Sequence, residues 1–161
     1  MTLLYKFIDR DVPITVSTID MDWHYNSKNL DAAKHISELG RDTPFYGGKD
    51  GWTGYTWNKD LFKNYKQFLK DITDLGFHIT LNLHPACGVR WFEDCYKDFA
   101  IAMGKDPNKG EQIPFDFTDD NFINNYFKII HKPYENDGVS FYWIYGSVKF
   151  GFTSPLSLWM K

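Results

Sequence analysis

The sequence predicts an α/β protein on parallel strands, in the form of part of a (β/α)8 TIM barrel. Three observations predict it. Short β-branched runs alternate with stretches of helical period, which calls for parallel pairing with crossover helices outside the sheet. Polar and aromatic residues cluster just after the carboxyl end of each run: Asp20, Asp22, Trp23 and His24, then His84, then Trp143 and Tyr145. That is where such a barrel gathers its functional side chains. No Gly-rich turn follows the first strand, where a nucleotide-binding doubly wound sheet would carry one. Three strong strands are legible, so the barrel is incomplete against the eight that closure requires.

The elements follow in order. Leu3 to Arg10 reads as the tail of a helix, with Leu4, Phe7 and Ile8 on one side. Asp11-Val-Pro turns the chain into a strand over Ile14 to Ile19. A long loop contains a candidate helix from Leu30 to Leu39, with Asn29 to cap it and Gly40 to end it. Lys63 to Leu75 places Tyr65, Phe68, Leu69, Ile72 and Leu75 on one face, and Gly76 stops it. His78 to Leu83 is the next strand. A helix near Phe92 to Met103 closes at Gly104, and another runs from Asp119 to His131 with Thr118 as its N-cap. Val139 to Ile144 is the last clear strand.

Composition narrows the partners. The 161 residues suffice for one domain with a core, and neither repeats nor a low-complexity linker divides them. Aromatic residues make up 19%, and they occur in loops as well as in apolar runs. They serve either a ring-heavy core or a surface that stacks flat apolar faces. The formal charge of −3, without a basic patch, argues against a nucleic-acid partner. The two cysteines, Cys87 and Cys95, read as small hydrophobes of a reducing compartment. With no basic-then-apolar start and no run of membrane-spanning length, the expectation is a cytoplasmic chain with no membrane partner.

Several segments carry chemistry. In Ile19-Asp-Met-Asp-Trp-His24, Asp20 and Asp22 alternate with apolar neighbours and can face one side of a pocket. Such carboxylates accept hydrogen bonds from vicinal hydroxyls, and Trp23 can stack on a sugar ring. Two other readings exist: the metal- and nucleotide-binding D-x-D of glycosyltransferases, or a solvated pair of turn aspartates. Gly51-Trp-Thr-Gly-Tyr-Thr-Trp-Asn58 suits a rigid loop lining a cleft with Trp52 and Trp57, or a hairpin whose rings cover the sheet end. His84 closes the strand Thr80-Leu-Asn-Leu-His-Pro85, as a hydrogen-bonding ligand or as a structural histidine. The five histidines show no zinc spacing, and no cofactor or metal is implied.

Together with Val139-Ser-Phe-Tyr-Trp-Ile144, these segments resemble consecutive blocks of glycoside hydrolase family 31, the α-glucosidase and α-xylosidase family. The likeness runs over about residues 3–144 in the same order. It implies a retaining α-glycosidase barrel acting on α-linked oligosaccharides or glycosides. In the family the fourth strand ends in an Asp nucleophile within a Trp-Ile-Asp-Trp type motif, and the acid/base Asp lies two strands later. The resemblance also implies that Asp22, more than Asp20, holds the hydroxyls of the non-reducing sugar. His24, Trp23, Trp52, Trp57, His84 and Trp143 would complete the substrate subsite.

The departures are specific. Tyr145 stands where the family carries its nucleophile, Gly146-Ser-Val-Lys-Phe-Gly151 replaces the following motif, and Cys87 sits where an Asp is common. Residues 1–144 therefore read as a partial catalytic barrel and 145–161 as a divergent tail, of the kind a frameshift or truncation leaves. No strand able to supply the acid/base is legible. The expectation is a glycosidase piece inactive by itself, or a non-catalytic sugar-binding scaffold, with open barrel edges inviting self-association.

Overall fold

The computed structural model describes residues 2–25, 53–85 and 88–144. The expected helix over 30–39, and Trp52, Cys87 and Tyr145 with the rest of the tail, lie outside the described residues. The elements are α1 (Thr2–Ile8), β1 (Val16–Ile19), α2 (Tyr65–Asp74), β2 (His78–Leu83) and α3 (Tyr96–Ala102). They are followed by a 3-10 turn at Pro107–Lys109, α4 (Asp120–Asn125), a π-helical segment at Tyr126–His131, α5 (Lys132–Asn136) and β3 (Phe141–Ile144).

The three strands form one parallel sheet in the order β1-β2-β3. Register partners share a face. Ile19 lies beside Leu81, and Leu81 beside Tyr142; with Ile79 and Leu83 they make the face that the helices cover. The other face carries Val16, Thr18, His78, Thr80, Asn82, Phe141 and Trp143. On it the central strand is enclosed at Thr80 and Asn82, while Val16 and Trp143 are exposed at 39% and 47%. The alternation is thus a sheet with one side packed against helices and the other open at its flanks.

The helix α2 forms for the reasons its pattern gives. Asn64 accepts a hydrogen bond from the Gln67 amide at 3.3 Å and so caps the first turn. Leu69 and Ile72 are buried against the sheet, each stabilising the fold by about 1.5–3 kcal/mol. At its end the Gly76 amide bonds Thr73 O and the Phe77 amide bonds Ile72 O, a Schellman ending that needs the left-handed backbone of Gly76.

Two local expectations are corrected. The N-cap of α4 is Asp119, whose side chain accepts from the Asn121 amide at 2.9 Å; Thr118 is occupied with Asp116. The helical run also does not stop at His131 but continues to Asn136. Pro133 supplies the physical reason for the wide turn between α4 and α5. It has no amide to give the carbonyl four residues back, and its ring would strike that carbonyl in a regular helix. The π-helical turn opens the spacing there and points Tyr126, Ile130 and His131 inward.

Gly88 is where the backbone leaves no room for a side chain. Its φ is +62°, and a Cβ there would lie 2.1 Å from Ile113 O. Gly88 precedes Val89, which exchanges both backbone bonds with Ile113 at 2.9 and 3.0 Å. Gly88→Ala should break this bridge and cost about 2–4 kcal/mol. Gly76→Ala, at similar φ with nothing within 4 Å, should cost only about 1–2 kcal/mol of backbone strain. Thermal unfolding of the two variants side by side checks the difference; equal losses would count against it.

Candidate functional site

The polar ends of β1 and β2 lie side by side because parallel strands bring their carboxyl ends to one edge. Past β1, Asp20 and Asp22 are exposed; past β2, His84 is half-buried. Asp20 is fixed in place. Its Oδ1 accepts from the Met21 amide at 2.8 Å and from Asn82 Nδ2 on the neighbouring strand. Met21 adopts a left-handed backbone, φ +48°, which turns the chain so that its amide reaches both Asp20 and Asn82 Oδ1, the latter at 3.1 Å. Met21 has a β-carbon, so this turn carries strain that the two bonds offset.

Asn82 is the hub of this end. Besides Asp20 it receives the Trp23 indole N–H, 2.9 Å from its side-chain oxygen and 3.0 Å from its carbonyl. In the alternating pattern of β2 it is legible only as one of three polar positions, with His78 and Thr80. Trp143 occupies the next place in the same register row, across from Asn82 on β3.

The aromatic residues divide into two sets. Trp23 and Trp57 are each 1% exposed, and His24 is wholly enclosed. Trp23 meets Trp57 edge-on at 4.8 Å, and Trp57 stacks on Tyr65 at 4.7 Å with 9° between the planes. These rings form a packed floor under the strand ends, with Tyr134 against both tryptophans. Accessible at the surface are Asp20, Asp22, part of His84, and Trp143. The structure thus brings Asp20, Asp22 and His84 to one end, with Trp23, His24 and Trp57 beneath them.

The segment 53–58 is tied to this end from three sides. Toward β1, the Tyr25 amide bonds Thr56 O at 3.1 Å and the Asn58 amide bonds Trp23 O at 2.7 Å, around the His24–Trp57 bridge. Toward β2, the His84 amide bonds Thr53 O at 3.3 Å, and Gly54 approaches Asn82 O closely enough that a Cβ would sit 3.2 Å from it. Toward the helices, Tyr134 donates to Tyr55 O at 2.7 Å and the Tyr55 and Tyr126 hydroxyls lie 3.0 Å apart. Among the described residues this segment is a fixed cover over the sheet end, bridged to His24.

The titratable groups respond to enclosure. Burial pulls the His24 imidazole down to about 4, with His84 adding to the effect and the carboxylates of Asp22 and Asp20 opposing it. Burial also lowers His84, against the pull of Asp20. Both imidazoles are therefore neutral hydrogen-bonding groups at neutral pH rather than cations. Among the described residues no group of three or more His, Cys, Asp or Glu side chains is placed to hold a metal ion. No described helix is long and apolar enough to cross a membrane.

A parallel α/β sheet with carboxylates, imidazole and indole gathered at its carboxyl edge has its polar groups where barrel enzymes build their active sites. The sequence carries that class to a family. The model of the glycosyl hydrolases family 31 TIM-barrel domain matches residues 1–154, nearly the whole chain. The chain belongs to glycoside hydrolase family 31, a family of glycosidases. No curated protein matches it.

Proposed function

We propose that this chain is part of a retaining α-glycosidase, contributing the second to fourth strands of its barrel and the subsite for the non-reducing sugar. The observation that carries the reading is the meeting of Asp20, Asp22 and His84 at one end of adjacent parallel strands, over a floor of Trp23, His24 and Trp57. Asp22 and Asp20 would accept hydroxyl hydrogen bonds, neutral His84 would donate or accept one, and Trp143 would offer its exposed indole. Trp52 would add a second ring from the segment before Thr53.

Hydrolysis is a separate matter. Retaining cleavage needs two carboxyl groups about 5–5.5 Å apart, one as nucleophile and one as acid/base. Tyr145 falls within the matched residues, at the position the family resemblance gives to the nucleophile. A phenol with an ordinary pKa of about 10 stays protonated at neutral pH. A polypeptide of these 161 residues should therefore show no measurable hydrolysis of aryl α-glucosides or α-xylosides. Tyr145→Asp should not restore it, because no acid/base carboxyl is assigned within the same residues. Product of retained configuration from the unaltered polypeptide, lost in Asp22→Ala, would overturn this.

The second reading is a non-catalytic sugar-binding scaffold. The pinned Asp20 carboxylate and the exposed Trp143, on opposite sides of Asn82, favour it, since both can hold a sugar without cleaving it. Titration with glucose, xylose and galactose derivatives, followed by tryptophan fluorescence, decides between weak binding and none. Absence of a saturable change at millimolar sugar rejects it.

A further inference from the structure

Between the strand ends and the helices lies a carboxylic acid that none of the roles above uses. Glu93 is 4% exposed, in the turn that leads into α3. Its two oxygens are engaged separately: Oε1 by the hydroxyl of Thr53, and Oε2 by that of Thr56 at 2.5 Å. Thr56 is itself bound from the same turn, its hydroxyl oxygen accepting the Asp94 amide at 2.9 Å. The two threonines bracket Gly54 and Tyr55, and Thr56 directly precedes Trp57.

We propose that Glu93 is a positioning residue, a buried carboxyl clip that sets segment 53–58, with Trp57, at the carboxyl edge of the sheet. The geometry explains the choice of residues. Two hydroxyls three positions apart match the two oxygens of one carboxyl, and no apolar residue at 93 could hold both. Thr hydroxyls can donate or accept, so they serve the carboxyl in either protonation state. Burial raises the Glu93 pKa to about 8, while the bond from Thr56 opposes the rise. The clip is thus a neutral acid at neutral pH and acquires a buried charge above it.

The groups facing Glu93 are Asp94 and Cys95 on its own turn, Tyr55 on the clipped segment, Tyr126 on the π-helical turn and Tyr134 on α5. Burial holds Cys95 and the three tyrosines above their ordinary range, so they stay silent where Glu93 ionises. Asp94 pairs with Lys59 at the surface, 2.9 Å apart. His24 and His84, nearby, are held low and finish titrating on the acid side.

Only the object being positioned, a sugar subsite, rests on the function proposed above; the clip is read without sugar. Near-ultraviolet circular dichroism of the full chain, followed from pH 5 to 10, should show an aromatic transition with a midpoint near 8. Glu93→Gln should keep the low-pH spectrum and abolish the transition, because the amide binds both hydroxyls and cannot ionise. Thr56→Val should move the midpoint to higher pH by removing a bond that favours the charged form. Glu93→Ala should show a displaced spectrum at every pH, restored by Gln. A transition that persists unchanged in Glu93→Gln, or a Glu93→Ala spectrum matching the native one, overturns the proposal. Should Glu93→Ala fail to fold, the Gln and Val variants still decide. In sugar titrations at pH 6, Gln should bind as the native chain does and Ala weaker by roughly tenfold or more. If the native chain binds none of the sugars, the subsite reading falls while the spectra still judge the clip.

Discussion

Trp23→Ala should lower the unfolding free energy by about 3–5 kcal/mol, measured by urea denaturation. The indole is 1% exposed and packs on Trp57, His24 and Tyr134, so truncation leaves a cavity that rigid neighbours cannot fill. It also strips the donor from Asn82, whose side chain then holds Asp20 and the Met21 amide alone. Trp23→Phe should cost about 1–3 kcal/mol, the part due to the unmet acceptors. Trp143→Ala, at 47% exposure, should fall within about 0.5 kcal/mol of the native chain. A loss below about 1 kcal/mol for Trp23→Ala would show that this ring is not part of the floor.

Stability should peak between pH 6 and 7 and fall on both sides, for different reasons. Burial holds His24 at about 4 and His131 at about 3 in the folded state, against 6.5 for the free side chain. The folded pKa values are depressed, so these groups contribute stability above pH 6.5 that is lost as pH falls through 4 and 3. At about 1.4 kcal/mol per unit, the losses reach about 3 kcal/mol for His24 and about 5 kcal/mol for His131. Together they rival the whole stability of an ordinary domain, so unfolding should begin in mild acid.

Glu93 has the opposite sign. Its folded pKa is raised from 4.5 to about 8, so its contribution is complete below 4.5 and is lost as pH rises through 8. The buried hydroxyls of Tyr55 and Tyr134 then carry the alkaline loss further, since their pKa values are raised above 10 by the same enclosure. His131 offers the sharpest check. Its Nε2 is buried without a hydrogen-bond partner, and its ring packs on Tyr126 at 4.6 Å and Tyr142 at 4.0 Å. His131→Phe should keep the packing, remove the unmet nitrogen and shift the acid midpoint to lower pH. An unchanged acid limb in that variant would contradict the assignment.

Much of the architecture was legible because it follows from local rules. The face of α2 with Leu69 and Ile72, its stop at Gly76 and the alternating run of β2 are periodic signals that read correctly without neighbours. The gathering of polar residues at strand ends followed from parallel pairing, which fixes which ends meet. The stop expected at His131 is passed because a wider turn accommodates Pro133 and carries the helical run on to Asn136. Thr118 misled because Asp116 competes for its hydroxyl, leaving Asp119 to cap α4.

The sequence by itself determined the class of the chain: strands and helices in alternation, the family that their order matches, and the strand ends where polar groups collect. Those properties are written in spacing along the chain. Only the tertiary structure decided which aromatic rings face solvent, and that Asn82 and Glu93 organise the site. Trp23 follows β1, Trp57 lies in the covering segment and Trp143 lies within β3, and residue type alone does not tell them apart. Two are enclosed and one is not because of what packs on them: Tyr65 and Tyr134 cover the first two, and the open flank of β3 leaves the third exposed. No spacing along the chain sets Glu93 apart from Asp94. Its enclosure comes from Thr53 and Thr56, which approach it only when the sheet and its covering segment have come together.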